Sequence, residues 1–293
     1  MKKRFWIILW LSILLCGSAW GVPESRVISF GNDLTPEEKT AVTKDFPIPP
    51  EMKPEQIKNL LVTNEEEWDL FRGLIPDSEI GAKAISSVYI EKLDRGDGIR
   101  VQTKNLTFVT PHMFANALAT AGLEDAKIFA TAPYLVSGTA ALTGIYKAFE
   151  DLTGKSLTSA AKKASAAELV ETGNLGESVG KEKAATLVER SKERVISERP
   201  KTKEELMLII TRSAREQNLT LTNEEKNNLA DVLVKINDLN LNLTNLQNQL
   251  KGFTKPPKTV QPPAAPQSFL SKLLAFIKSI VNQLFSFVGK MFH

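Results

Sequence analysis

Cysteine and histidine are almost missing from this 293-residue chain, which has one cysteine, Cys16, and two histidines, His112 and His293. A lone cysteine excludes an intrachain disulfide and any thiolate zinc set, and two distant histidines supply too few imidazole ligands for a zinc site built without thiolates. A Ser-His-acid triad has only His112 to draw on. Long apolar runs are missing as well. The N-terminal run, Phe5 to Cys16, falls short of the roughly 18 to 20 residues a spanning helix needs, and the longest near the C-terminus is Leu273 to Ile277. Acid is absent from residues 251–293, which hold lysines 251, 255, 258, 272, 278 and 290. Of the chain's 37 basic residues, Lys2, Lys3 and Arg4 lie in the first 21, and removing them leaves 34 against 34 acidic. Residues 22–250 therefore carry 28 basic and 34 acidic side chains, an acidic body joined to a basic tail. An acidic body with six scattered tail lysines offers no phosphate-tracking patch, so nucleic acid is not expected as a partner.

What is present begins with targeting. Lys2, Lys3 and Arg4 precede an apolar core and the small-residue stretch ending at Ala19-Trp20-Gly21, which is the order of a secretory signal peptide over residues 1–21. Cleavage after Gly21 leaves Val22 first. Leu15 stands where a lipoprotein signal places a small residue, so Cys16 reads as a member of the signal core.

Residues 252–267 form a linker in which five of the thirteen residues from Lys255 to Gln267 are proline, able to reach up to roughly 40 Å if extended. Beyond it, residues 268–293 predict an amphipathic helix. Phe269, Leu270, Leu273, Phe276, Ile277, Ile280, Leu284 and Phe287 fall on one half of the wheel, with Lys272, Lys278 and Lys290 near the margins of the other. Such a helix is expected to lie in a membrane surface, each lysine adding about 1 kcal/mol on an anionic leaflet. Folding back onto the body and self-association are its competitors.

Over residues 22–155 the pattern predicts an α+β domain with a small mixed sheet and packed helices. Strands are expected at Arg26–Phe30, Lys58–Val62, Ala84–Leu93, Ile99–Phe108 and Lys127–Ala132, the third and fourth joined as a hairpin through Asp94-Arg95-Gly96-Asp97-Gly98. Thr35, Thr63, Thr202 and Thr222 each stand three residues before a glutamate, the spacing of a capping box. Residues 156–251 predict an all-helical subdomain packed on the first, with helices over 157–170, 179–196, 203–217 and 223–237. A further helix is expected to start at the Thr244–Gln247 box. Asn218 to Asn223 and Asn240 to Asn245 echo each other ahead of two of these helix starts.

The stretches "IGAKAISSVYIEKL" from Ile80, "NLTFVTPHMFANALATAG" from Asn105 and "TAPYLVSGTAALTGIYKAFEDLTGK" from Thr131 resemble the YpuA-like secreted proteins of Gram-positive bacteria, the family called domain of unknown function 1002. The resemblance covers about residues 26–251 and implies an exported envelope protein without assigned catalytic residues. It leaves the tail outside.

For chemistry of its own the sequence offers little. Ser137-Gly138-Thr139, where a strand hands over to a helix, is a candidate anion or ligand site, or else a plain helix cap. Gly154-Lys155-Ser156 lacks the first glycine of a phosphate-binding loop, since Phe149 stands in its place. Ser159 and Lys162 have the Ser-x-x-Lys spacing of some acyl-transfer enzymes without the companion elements. His112, after Pro111, reads as a cap or a solvent-facing ring. No cofactor and no metal is expected. The leading reading is a non-catalytic exported protein, its body recognising an unknown envelope component and its tail on the outer face of the cytoplasmic membrane, with partial release. The alternative is an envelope hydrolase or acyl transferase with a Ser or Thr nucleophile, Ser137 or Thr139 being the first choice.

Overall fold

The computed structural model describes residues 25–75 and 80–254. The expected signal peptide, the linker from Lys255 onward and the expected helix at 268–293 lie outside the described residues. Strand β1 (Arg26–Gly31) leads into α1 (Pro36–Asp45), where Thr35 and Glu38 form the expected reciprocal cap. A 3-10 turn (Pro54–Gln56) precedes β2 (Lys58–Val62), and α2 (Asn64–Phe71) starts on a second capping box, Thr63 with Glu66. Strands β3 (Ser87–Lys92) and β4 (Arg100–Leu106) follow, then α3 (Pro111–Ala121), β5 (Ala126–Val136) and α4 (Thr139–Thr153). The rest is helical: α5 (Ser159–Val179), α6 (Lys181–Glu198), α7 (Lys203–Glu216), α8 (Asn223–Asp238) and α9 (Leu243–Thr254). The expected α+β class holds. Among the described residues no helix is long and apolar enough to cross a membrane.

The sheet order is β2-β1-β3-β5-β4, and this corrects the expected hairpin. Strand β5 lies between β3 and β4, antiparallel to the first and parallel to the second. The reason is burial. Ile128, Ala130 and Ala132 of β5 are buried, whereas β4 alternates Arg100, Gln102 and Lys104 outward and suits an edge. The turn residues between β3 and β4 are tied instead to Asp125, just ahead of β5. Its Oδ1 accepts from the Gly96 and Gly98 amides at 3.0 and 2.8 Å, and its carbonyl accepts from the Leu93 amide at 2.7 Å.

One face of the sheet is covered by α1, where Ile28, Phe30, Val42, Phe46 and Tyr89 form a cluster. The other carries α4, which crosses β1, β2 and β3. Where β1 ends, the chain passes so close to the 84–85 backbone that a Cβ on Gly31 would lie 2.3 Å from the Ala84 carbonyl oxygen. Backbone cannot step aside as a side chain can. Gly31→Ala is therefore expected to lower stability by about 1–3 kcal/mol, read from denaturant midpoints, and a loss below about 0.5 kcal/mol would refute the close crossing.

Helices α5 to α8 enclose a second core that includes Leu187, Val188, Ile210, Leu229, Leu233 and Ile236. Helix α5 runs past the expected stop near Val170 to Val179, and Gly173 within it is a seat for an aromatic ring. A Cβ there would meet Phe108 Cζ at 2.1 Å. The last helix starts two residues earlier than expected. Asn242 caps α9 through its Oδ1, which accepts from the Asn245 amide at 2.8 Å, so Thr244 is already helical. That helix reaches Thr254, through the first three residues of the expected linker. Contacts through Leu250 make one compact unit.

Candidate functional site

The start of α4 is built by β5 running on into Ser137 and Gly138. Gly138 adopts φ +97°, a left-handed conformation open to glycine, and any Cβ would also press on Val109 Cγ2 at 2.8 Å. Neither Ser137 nor Thr139 caps the helix with its side chain. Thr139 Oγ1 instead donates to Glu67 Oε1 at 2.7 Å, and Ser137 Oγ lies 3.1 Å from Thr139 Oγ1. Burial pushes the Glu67 carboxyl up to about 7, against the opposing pull of Thr139 and Asn64. The protein's own carboxyl group thus stands beside the first residue of α4. Thr139 and Glu67 are 3% and 2% exposed, which leaves the pair out of reach of a large substrate.

One to two turns further along α4, a cleft of about 270 Å³ opens between α2, α4 and the start of α5. Glu66, Thr143, Lys147, Glu150, Ser159 and Lys162 are among its walls. The Ser-x-x-Lys pair is thus brought to a cleft, but without the geometry of acyl transfer. Lys162 Nζ donates to Glu150 Oε2 at 2.8 Å and Lys147 Nζ to Glu66 Oε1 at 2.5 Å, so each amine is spent on a carboxylate. Thr143, on the same wall, has its Oγ1 buried with no hydrogen-bond partner among the described residues. The walls alternate in sign, which suits recognition of a small polar molecule better than a nucleophilic attack.

A second polar assembly, which no motif in the sequence announces, joins α3 to α5 and α6. His112, Asn116 and Thr120 lie four residues apart on α3, on one face of an otherwise apolar helix. His112 is neither a cap nor a solvent-facing ring. It is 7% exposed, with Nε2 2.7 Å from Glu189 Oε2 and Nδ1 3.5 Å from Glu182 Oε2. Burial alone would lower its pKa, but hydrogen bonds and charge from Glu182 and Glu189 raise it to about 9. Asn116 Nδ2 donates to the Ala185 carbonyl at 2.9 Å. Thr120 Oγ1 donates to Glu168 Oε2 at 2.5 Å, and Lys192 Nζ reaches Glu168 Oε1 at 2.6 Å, Asn116 O at 2.8 Å and Thr120 Oγ1 at 2.9 Å. Tyr146 and Ser165 extend the network, with the Ser165 hydroxyl donating to the Ala117 carbonyl at 2.5 Å. The one signal in the sequence is the spacing 112, 116, 120 within "PHMFANALATA". Apart from Glu182, whose side chain is 66% exposed, these groups are turned inward, so the assembly binds helix to helix.

The eleven tail residues expected on a membrane, Phe269 to Lys290, lie outside the described residues. Ser137, Gly138 and Thr139 are contiguous with Glu67, and Ser159 with Lys162 and Glu150. His112 belongs to the interior network. The profile of the family described as "Protein of unknown function (DUF1002)" matches residues 30–253. The uncharacterized protein YpuA of Bacillus subtilis (strain 168) is 32% identical over 292 residues, covering 97% of this chain and 99% of that protein. No solved structure matches.

Proposed function

The chain belongs to the DUF1002 family of proteins of unknown function, and from that premise we propose a non-catalytic, exported cell-envelope protein held on a membrane surface by its C-terminal residues. Residues 1–21 direct export. The body recognises an envelope component, and residues 268–293 lie on the anionic outer face of the cytoplasmic membrane, with partial release of the protein. The observation that carries this reading is the tail itself, an apolar half-wheel with lysines at its margins, no acid from residue 251 onward and a proline-rich tether ahead of it. The body supports it with a mixed-charge cleft suited to binding. The alternative, an envelope hydrolase or acyl transferase, draws on the Thr139–Glu67 hydrogen bond, a hydroxyl beside a carboxyl group held near 7. The burial of both residues weighs against it, and covalent labelling of Thr139 by an acylating probe would reverse the order of the two.

Vesicle flotation tests the proposal. The mature protein is expected to float with vesicles containing anionic lipid, and Phe276→Asp with Leu284→Asp to cut the bound fraction at least tenfold, because two charges are placed in the apolar half. High salt should weaken binding without abolishing it, since burial of apolar side chains outweighs the lysine contribution. Equal flotation of the two proteins, or flotation of neither, defeats the membrane reading.

A further inference from the structure

Two sequence features that the α4–α5 cleft does not use meet at the C-terminal end of α4. The Arg95-Gly96-Asp97 turn and Asn245, the last residue of the second asparagine-rich segment, border a cavity of about 510 Å³ with Lys92, Glu124, Lys155 and Asn248. Its frame is fixed from beneath. Asp125 sits in a left-handed conformation, φ +49°, uncommon outside glycine, and pins the turn through the Gly96 and Gly98 amides. The Asp125 amide donates to Gln249 Oε1 at 2.8 Å, while the carbonyl of that 4%-exposed glutamine accepts from the Ile99 amide at 2.9 Å. Turn, loop and α9 are thereby locked together, so the wall is formed before any ligand arrives.

The charges on this wall do not cancel locally. Glu124 is shared between Lys155 at 3.3 Å and Asn245 Nδ2 at 2.8 Å, and Asp97 is taken by Arg100 at 3.0 Å. Asp125 Oδ1 serves the backbone amides. Lys92 and Arg95 have no ion-pair partner among the described residues, and the Asn248 side chain has no hydrogen bond there either. Lys92, Arg95 and Lys155 outnumber the carboxylates of Glu124 and Asp125 by one charge on this wall, and its two cations outside ion pairs favour an anion, the guanidinium especially one with phosphate geometry. The C-terminal turn of α4, through Thr153, borders the same space. Its partial negative charge opposes a bare anion and accepts hydrogen bonds from hydroxyl groups. Anion and hydroxyls in one ligand answer both halves of the wall.

We propose that this cavity binds a polyol phosphate, Lys92 and Arg95 taking the phosphate oxygens while Asn248 and the α4 terminus take the hydroxyls. The proposal deepens the envelope reading by naming what the body recognises, and rests on that reading only for where such a ligand is met. Isothermal titration of the mature full-length chain without vesicles tests it, with glycerol 3-phosphate and inorganic phosphate as probes. Saturable binding of glycerol 3-phosphate, at least threefold tighter than inorganic phosphate, is expected. The Lys92→Ala, Arg95→Ala double variant should weaken it at least tenfold with an unchanged melting temperature, while Lys83→Ala, an exposed lysine elsewhere, should leave it unaltered. Competition then identifies the source: poly(glycerol phosphate) displacing the probe points to a wall polymer, and phosphatidylglycerol vesicles alone displacing it point to a lipid headgroup. No saturable binding, equal affinity for inorganic phosphate, or an equal loss in Lys83→Ala overturns the site. Because the titration contains no membrane, its failure would leave the flotation result standing.

Discussion

Lys192→Met is expected to lower the unfolding free energy of the body by about 3–5 kcal/mol, measured by denaturant titration. Lys192 and Glu168 are 0% and 1% exposed, and the lysine ammonium makes three hydrogen bonds: to the Glu168 carboxylate, the Thr120 hydroxyl and the Asn116 carbonyl. Taking away the cation leaves the carboxylate in the interior with Thr120 as its remaining side-chain donor, and leaves the Asn116 carbonyl without its amine. The cost is that of an uncompensated buried charge, which exceeds the net worth of the pair. Lys192→Met combined with Glu168→Leu should therefore recover much of the loss, giving a coupling energy of about 2 kcal/mol or more in a double-mutant cycle. A single-variant loss below about 1 kcal/mol, or a double variant at least as unstable as the sum, would show that the two groups are not a closed pair. Since α3 leads into the sheet and α5 and α6 belong to the helical layer, the bonds from this pair to Thr120 and Asn116 of α3 also fix the two layers in register.

That network marks the boundary of what is legible in the sequence. Local chemistry carries through: the Thr35, Thr63 and Thr222 boxes form reciprocally. The Thr202 hydroxyl also caps α7, although its Glu205 turns to the Lys201 amide at 2.6 Å and leaves the box one-sided. Partner choice across the chain does not carry through. A turn-rich segment between two β-branched runs looks the same whether the runs pair or admit a third strand, and only the burial demand of β5 decides it. Glu67 is hidden for a different reason. It follows Glu66, the acid that completes the cap, and one residue further round the helix is about 100° of rotation, enough to turn a carboxyl from solvent into the interior. For His112, the position after a proline suggests a cap, whereas the spacing to Asn116 and Thr120 is the better guide.

The body should be more stable near pH 5 than near pH 9, with His112 responsible for the upper part of the fall. Its pKa is raised from 6.5 to about 9 in the folded protein, so between those values the native state holds a proton that the unfolded chain has released. Stability then decreases as pH rises: the full contribution, about 3 kcal/mol for a rise of that size, is present below 6.5 and lost on passing 9. Two carboxyl groups act in the same direction lower down. Burial raises Glu67 to about 7, and burial with the charges of Glu225 and Asp231 raises Glu171 to about 7, so both resist ionising between 4.5 and 7 and subtract stability across that range. Below 4.5 the sign reverses. Burial opposes the ionised form of Glu66, but hydrogen bonds from Lys147 and Thr63 prevail, while the His112 bond to Glu182 and the Ser178 bond to Glu225 lower those two carboxyls as well. All three lose their stabilisation as they take up protons. Melting temperatures from pH 4 to 9.5 are expected to peak near 5. His112→Gln should flatten the limb above 6.5 while leaving the slope between 4.5 and 6.5 in place, since that slope belongs to Glu67 and Glu171. An unchanged upper limb in His112→Gln would mean that the imidazole does not hold its proton up to about 9 in the folded protein. A rise in stability from pH 7 to 9 in the unsubstituted protein would overturn the direction for all of them.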